Sequence, residues 1–234
     1  MGSKALFVPP RLAVAREQFE VFDHFVDFTD AQLWTVAVAA TGTAAHEGPG
    51  RSRMKLFGTA DNDPAVLATT HELFKFVANK SMVCEGLINF TDVNTDDGAL
   101  GFGWADALAA TTLADTTSAV TATDCALIYK PKNSTVWAFH TEINGTSTAT
   151  TSLTTAGGTS DQCLRIEVTP RNSTVLELRP FVDGSQLKAT GNVPIMHTIT
   201  LGTATDMDFG VILKDGHAND FTCYVDYLYA AQAI

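Results

Sequence analysis

The sequence is poor in positive charge, cysteine and proline, and it has no long apolar run. Its 234 residues carry 15 Lys and Arg against 26 Asp and Glu, a net charge of -11 with a pI near 4.8. A surface this acidic repels phosphate, which argues against a broad nucleic-acid or anionic-membrane footprint. No stretch of about 18 apolar residues occurs, so no helical membrane span is expected. The most apolar segments, such as Trp34 to Ala40, are short and interrupted by Thr. The opening Met1 to Arg11 lacks the apolar core of a secretion signal. Leu6 stands where a myristoylation motif needs Ser or Thr.

The four cysteines, Cys84, Cys125, Cys163 and Cys223, are far apart, with no Cys-x-x-Cys pair and no His at zinc spacing. Each sits in an apolar, strand-like stretch. They read as small buried hydrophobes with free thiols, with a disulfide as the alternative.

Catalytic patterns are missing as well. Glycoside hydrolysis needs two carboxylates across one cleft. The laminarinase-like pattern Glu-x-Asp-x-x-Glu is absent; Glu167 and Glu177 stand singly, and Asp206 and Asp208 are expected to share a strand face with no third acid. No Gly-x-Ser-x-Gly elbow, His-Glu-x-x-His, Walker or dinucleotide glycine loop occurs. The six His residues are scattered. Asp61-Asn62-Asp63 and Asn94 to Gly98 are oxygen-rich, but they read as Asx turns and not as calcium loops. No catalytic residue, metal ligand or cofactor is therefore assigned, and the chain is expected not to be an enzyme. The aromatic residues, Trp34, Trp104 and Trp137 among them, read as core, with sugar stacking as the alternative.

What is present is strand. Threonine is about one residue in seven and joins many Val, Ile and Phe, which suit a pleated surface. Met82 to Phe90, Cys163 to Val168 and Val175 to Val182 alternate apolar and polar positions. Ala126 to Tyr129 and Val136 to His140 flank a turn at Lys130 to Ser134 and read as a hairpin; Asp183-Gly184-Ser185 reads as another turn. About a dozen short strands, with no long helical pattern, predict an all-β sandwich or barrel and not a βαβ sheet. Ala107 to Thr112 is expected to be a loop, and the Thr-rich tract Asn144 to Thr159 to carry a mobile tip. Ile88, Phe90, Leu127, Trp137, Ile166, Leu178, Phe209 and Val225 are expected between the two sheets.

The N-terminal stretch differs. Phe7-Val8-Pro9-Pro10 is stiff and extended. The reading is an extended N-terminal arm over residues 1–18 and a single β-sandwich domain over residues 19–234. The apolar content of Leu6, Phe7, Val8, Leu12 and Val14 favours docking, and Leu6, Phe7, Val8, Pro9, Pro10, Arg11 and Leu12 are assigned as the partner-binding segment.

Phe25-Val26-Asp27-Phe28, Trp34-Thr35-Val36, Phe74-Lys75-Phe76, Gly101-Phe102-Gly103 and Val136-Trp137 resemble a family of tailed-phage virion proteins. Leu164 to Val168, Phe181 to Gly184, Phe209-Gly210-Val211 and Val225 to Tyr229 also resemble the C-terminal half of concanavalin/LamG-like jelly rolls. The resemblance spans roughly residues 20 to 234. It implies an antiparallel jelly-roll β-sandwich on a virus particle, made in the bacterial host cytoplasm. The implied role is a non-enzymatic capsid decoration (cement) protein, a homotrimer that bridges subunits of the major capsid protein. The alternative is a lectin-like module of a tail or fibre that binds host glycan. Neither reading involves nucleic acid or membrane.

Overall fold

A computed structural model of the chain describes residues 18–26, 33–38, 42–47, 52–58, 60–91, 98–114, 119–158, 160–203, 205–216 and 221–234. The arm residues Leu6 to Leu12 and the Asn94 to Asp97 stretch lie outside these. In chain order the strands are β1 (Gln18–Asp23), β2 (Trp34–Val38), β3 (Thr43–Glu47), β4 (Arg53–Gly58), β5 (Pro64–Thr69) and β6 (Met82–Thr91). Then come β7 (Gly98–Ala105), β8 (Cys125–Lys130), β9 (Val136–Ile143), β10 (Thr146–Thr155), β11 (Gln162–Pro170) and β12 (Val175–Val182). The last are β13 (Ser185–Gln186), β14 (Lys188–Ala189), β15 (Val193–Pro194), β16 (His197–Thr200), β17 (Asp208–Asp215) and β18 (Phe221–Ala233). No helix occurs among the described residues.

Two antiparallel sheets form the sandwich. One has nine strands in the order β13-β12-β11-β6-β18-β4-β3, with β1 also on β18 and β16 also on β12. The other has seven, in the order β10-β9-β8-β7-β17-β5-β2. The alternation read from sequence sets which face is inward. Met54, Leu56, Cys84, Ile88, Leu164, Ile166, Leu176 and Leu178 of the larger sheet meet Leu67, Phe102, Trp104, Ile128, Trp137, Phe139, Phe209 and Val211 of the smaller in one buried cluster. Gly210 marks a close approach of backbones: a Cβ there would fall onto the Leu67 carbonyl oxygen of the neighbouring strand. Asp183 and Gly184, at φ 50° and 75°, make the tight turn between β12 and β13 that the twist of a hairpin favours.

The predicted hairpin of β8 and β9 forms, and Ala107 to Thr112 is irregular, as expected. The Thr-rich tract carries a strand that the sequence reading did not name. Thr146–Thr155 is a full strand paired to β9, because β-branched threonines suit an exposed edge of a sheet. Leu127 departs from the reading. It is buried, but on the opposite face of the seven-stranded sheet from the inter-sheet core. The other seven expected core residues lie between the sheets. All four thiols are free, and Cys84, Cys125 and Cys223 are buried.

His197 ties the two sheets together at one edge. Its Nδ1 is 3.0 Å from the Thr141 hydroxyl of β9, and its Nε2 is 2.9 Å from the Thr150 hydroxyl of β10. A neutral imidazole has one donor and one acceptor, and a hydroxyl can serve either. Burial, with a smaller contribution from His140, lowers the His197 pKa to about 4.

Two outcomes follow from this packing. Trp137 is fully buried against Phe90, so Trp137→Ala should cost about 3–5 kcal/mol in denaturant unfolding. The unfolded chain takes up a proton on His197 near pH 6.5, whereas the folded one resists until about 4. Stability should therefore be full above the unfolded value and fall as pH drops through this window. Melting curves of His197→Asn should start lower at neutral pH and lose part of that acid slope. His140, whose pKa burial also lowers, adds to the remaining slope, and Asp208, raised to about 6, opposes it.

Candidate functional site

The sandwich has two outer faces, and they differ in what they offer. The outer face of the seven-stranded sheet is roofed. Leu108, Leu113, Val120 and Ala122 of the β7–β8 connection pack on Val66, Ala99, Leu127, Tyr129 and Ile212 as a second buried cluster. A bridge between Leu113 and Val120 joins the two arms of the roof. The Thr123 hydroxyl donates to Asp106 at 2.5 Å and closes its base. Asp124 accepts from the Asn144 backbone N–H and from the Thr205 hydroxyl, and so locks two neighbouring loops.

Two carboxylates stand on this face. Register places Asp208, Ala105, Cys125 and Glu142 in one row across four strands. Three strand spacings separate the acids by about 14 Å, wider than the roughly 5–9.5 Å that glycoside hydrolysis uses. Asp208 accepts from the Leu108 backbone, and burial still raises its pKa to about 6. Glu142 turns to the buried His140, at 3.4 Å. Cys125 between them is buried, which pushes its thiol well up and disfavours the thiolate. Asp206 lies outside β17 and pairs with Lys75 at 3.1 Å, so the expected shared face with Asp208 does not form. Asp63 accepts from the Ala60 backbone N–H and Asn62 has φ 71°, which makes Asp61 to Asp63 the expected turn. No group of three or more metal-ligating side chains is found among the described residues.

The outer face of the nine-stranded sheet is half-buried along β11 and β12 and chemically richer. Register aligns Phe22, Tyr229, Glu85, Arg165 and Phe181 in a single row over β1, β18, β6, β11 and β12. At about 4.8 Å per strand the row is about 19 Å long. Phe22 is 51% exposed, and its ring lies 4.6 Å from His24, 6.3 Å from Tyr227 and 6.2 Å from Tyr229. The Tyr227 hydroxyl donates to Glu85 at 2.7 Å, and the Gln18 amide donates to the Tyr229 oxygen at 3.2 Å. Burial first, then the hydrogen bond to Glu85, pushes the Tyr227 phenol well up, so it stays a neutral donor. Arg165 pairs with Glu167 and lies 4.0 Å from Glu85.

Two backbone devices build this cluster. Asp226 is a bulge in β18, which reverses the alternation so that Val225 and Leu228 face the core and Tyr227 faces out. At the end of β1, Phe25 turns into the core at φ 50°, an uncommon conformation for a bulky residue. Asp23 holds that turn, accepting from the Phe25 N–H at 2.7 Å and from the Trp34 indole at 2.9 Å. Sequence reading missed the cluster and assigned the rings to the core. All three tryptophans are indeed core. The available signal was Phe22, an apolar residue on the polar face of β1.

No protein-family model matches the sequence, and no curated protein matches it. Solved structures match the fold. The Emp47p carbohydrate recognition domain aligns at TM-score 0.61 and 11% identity, over 92% of this chain and 95% of that one. Lectin UEA-II in complex with galactose aligns at 0.56 and 11%, over 93% and 99%. A Bacteroides ovatus GH16 protein from a mixed linkage glucan locus, in complex with a G4G4G3G product, aligns at 0.52 and 12%, over 89% and 98%. The virion setting implied by the sequence resemblance finds no support among them. The chain is an all-β, antiparallel jelly-roll sandwich of the concanavalin and legume-lectin kind.

Proposed function

We propose that the chain is a non-catalytic carbohydrate-binding module that seats a glycan along the Phe22–Phe181 row. The observation that carries this reading is the row itself. It sets exposed ring faces at one end and another ring at the other, with a carboxylate and a guanidinium between them. A pyranose has an apolar C–H face that stacks on a ring and hydroxyls that need donors and acceptors beside it. Sites that combine apolar walls with a few convergent polar groups are the usual form of a small-ligand site. The fold likeness to carbohydrate recognition domains supports the same reading. The non-catalytic part rests on the wide spacing of Asp208 and Glu142 and on the roof above them. No observation among the described residues favours capsid decoration, with its trimer and its contact through Leu6 to Leu12, over this reading.

A glycan array followed by titration calorimetry tests it. Binding to at least one oligosaccharide is expected, weakened about tenfold by Phe22→Ala, the loss of one stacked ring. The melting temperature should barely move, because Phe22 is half exposed. Incubation with β-glucans, agarose or peptidoglycan should release no reducing sugar. Binding to no glycan, or binding indifferent to Phe22→Ala, overturns the reading. Hydrolysis lost in Glu142→Gln overturns its non-catalytic part.

A further inference from the structure

The outer face of the nine-stranded sheet repeats one contact. The Arg53 guanidinium lies 3.6 Å from the centre of the Tyr224 ring, the Lys55 ammonium 4.5 Å from that of Phe57, and the Arg165 guanidinium 5.1 Å from that of Phe181. The Phe22, Tyr227 and Tyr229 rings are the exception. Among the described residues no Lys or Arg lies over them. Their charged neighbours are the carboxylates of Glu85 and Glu20, with Arg165 4.0 Å from Glu85 on its far side, and the His24 ring packs on Phe22 and Tyr227 at 4.6 and 5.8 Å. Glu85 accepts from Tyr227, and Glu20 lies next to Phe22 along the same face of β1.

This arrangement attracts a cation twice over. A ring presents negative charge on its face, and a carboxylate beside it adds a full charge. The neighbouring Arg165 does not fill the place, because it pairs with Glu167 and lies over Phe181 on the far side of Glu85. The net charge of -11 draws cations from a distance and repels uronic or sulfated sugars.

We propose that the ligand of the row is an amino-sugar oligosaccharide, whose protonated amine sits on the Phe22 and Tyr229 rings between the carboxylates of Glu20 and Glu85. This rests on the glycan-binding reading and names its ligand class. A free amine on the sugar supplies a cation that no described Lys or Arg places on these rings, while the pyranose supplies the apolar face. The straight row, with a ring at each end, suits an extended chain of such sugars.

The test uses the full chain and three oligosaccharides of equal length that share one glucose-type backbone and linkage. They differ only at carbon 2, which carries a free amine, an N-acetyl group or a hydroxyl. In calorimetry at low salt the amine form should bind about tenfold or more tightly than the other two, and high salt should shrink that advantage. Glu85→Gln combined with Glu20→Gln should abolish the advantage of the amine form over the other two, whatever it does to the affinity that all three share. Phe22→Ala should weaken all three. Equal binding of the three overturns the amine inference and leaves the glycan reading standing. Binding of none overturns the amine inference, and the glycan reading falls with it only if the array is also blank. Undiminished binding of the amine form to Phe22→Ala means diffuse attraction of a polycation and overturns the site. Equal competition by a lysine peptide of the same charge assigns the rings to a basic peptide and overturns the sugar.

Discussion

Phe209 is the ring about which the inner face of the seven-stranded sheet is packed. It lies 5.7 Å from Phe102, 6.1 Å from Phe74 and 6.3 Å from both Trp34 and Trp104, mostly in tilted or edge-on contact. These residues come from β17, β7, β2 and the segment before β6, so the packing of one ring fixes four parts of the chain. Edge-on aromatic contacts add about 0.5–1.5 kcal/mol beyond area burial and are directional. That direction fixes the inner face of the smaller sheet, and the edge-on contact of Trp137 in β9 with Phe90 in β6, at 5.5 Å, carries the packing across to the larger one.

The two outer faces of the sandwich diverge for a packing reason. Both parities of β5, β7 and β8 are buried, so the seven-stranded sheet needs a cover on its outer side as well. The β7–β8 connection supplies it with Leu108, Leu113, Val120 and Ala122. Solvent reaches little of that face, and its acids are tied to the Leu108 backbone and to His140. The nine-stranded sheet alternates buried with half-buried residues and needs no roof. Its half-buried positions are free to carry rings and charges, and there the ligand chemistry gathers.

The aromatic end of that surface depends on two local irregularities. The bulge at Asp226 shifts the parity of β18, because side chains alternate with period two and one extra residue reverses every later one. The turn at Phe25 drives one ring inward and leaves Phe22 and His24 outside, with Asp23 bonding both the turn and Trp34. A left-handed bulky residue costs of order 1 kcal/mol, which the burial of the Phe25 ring offsets.

Sequence alone determined the all-β class, the β8–β9 hairpin, the alternation of β6, β11 and β12, and seven of the eight named core residues. These follow from local rules: β-branched residues favour strands, and a period of two marks a half-buried face. It also determined the free, mostly buried thiols. It could not place Leu127, since a strand apolar at both parities, such as Cys125–Lys130, gives no sign of which face meets which layer. Nor could it show that Thr146–Thr155 is an edge strand, because pairing to β9 is a property of the partner as much as of the tract. The Phe22, Tyr229, Glu85, Arg165 and Phe181 row was beyond it altogether. Those residues run from position 22 to position 229 of the sequence, and only strand order and register bring them into line. Tertiary structure decided the surface, because adjacency across a sheet is set by hydrogen-bonded neighbours and not by the chain.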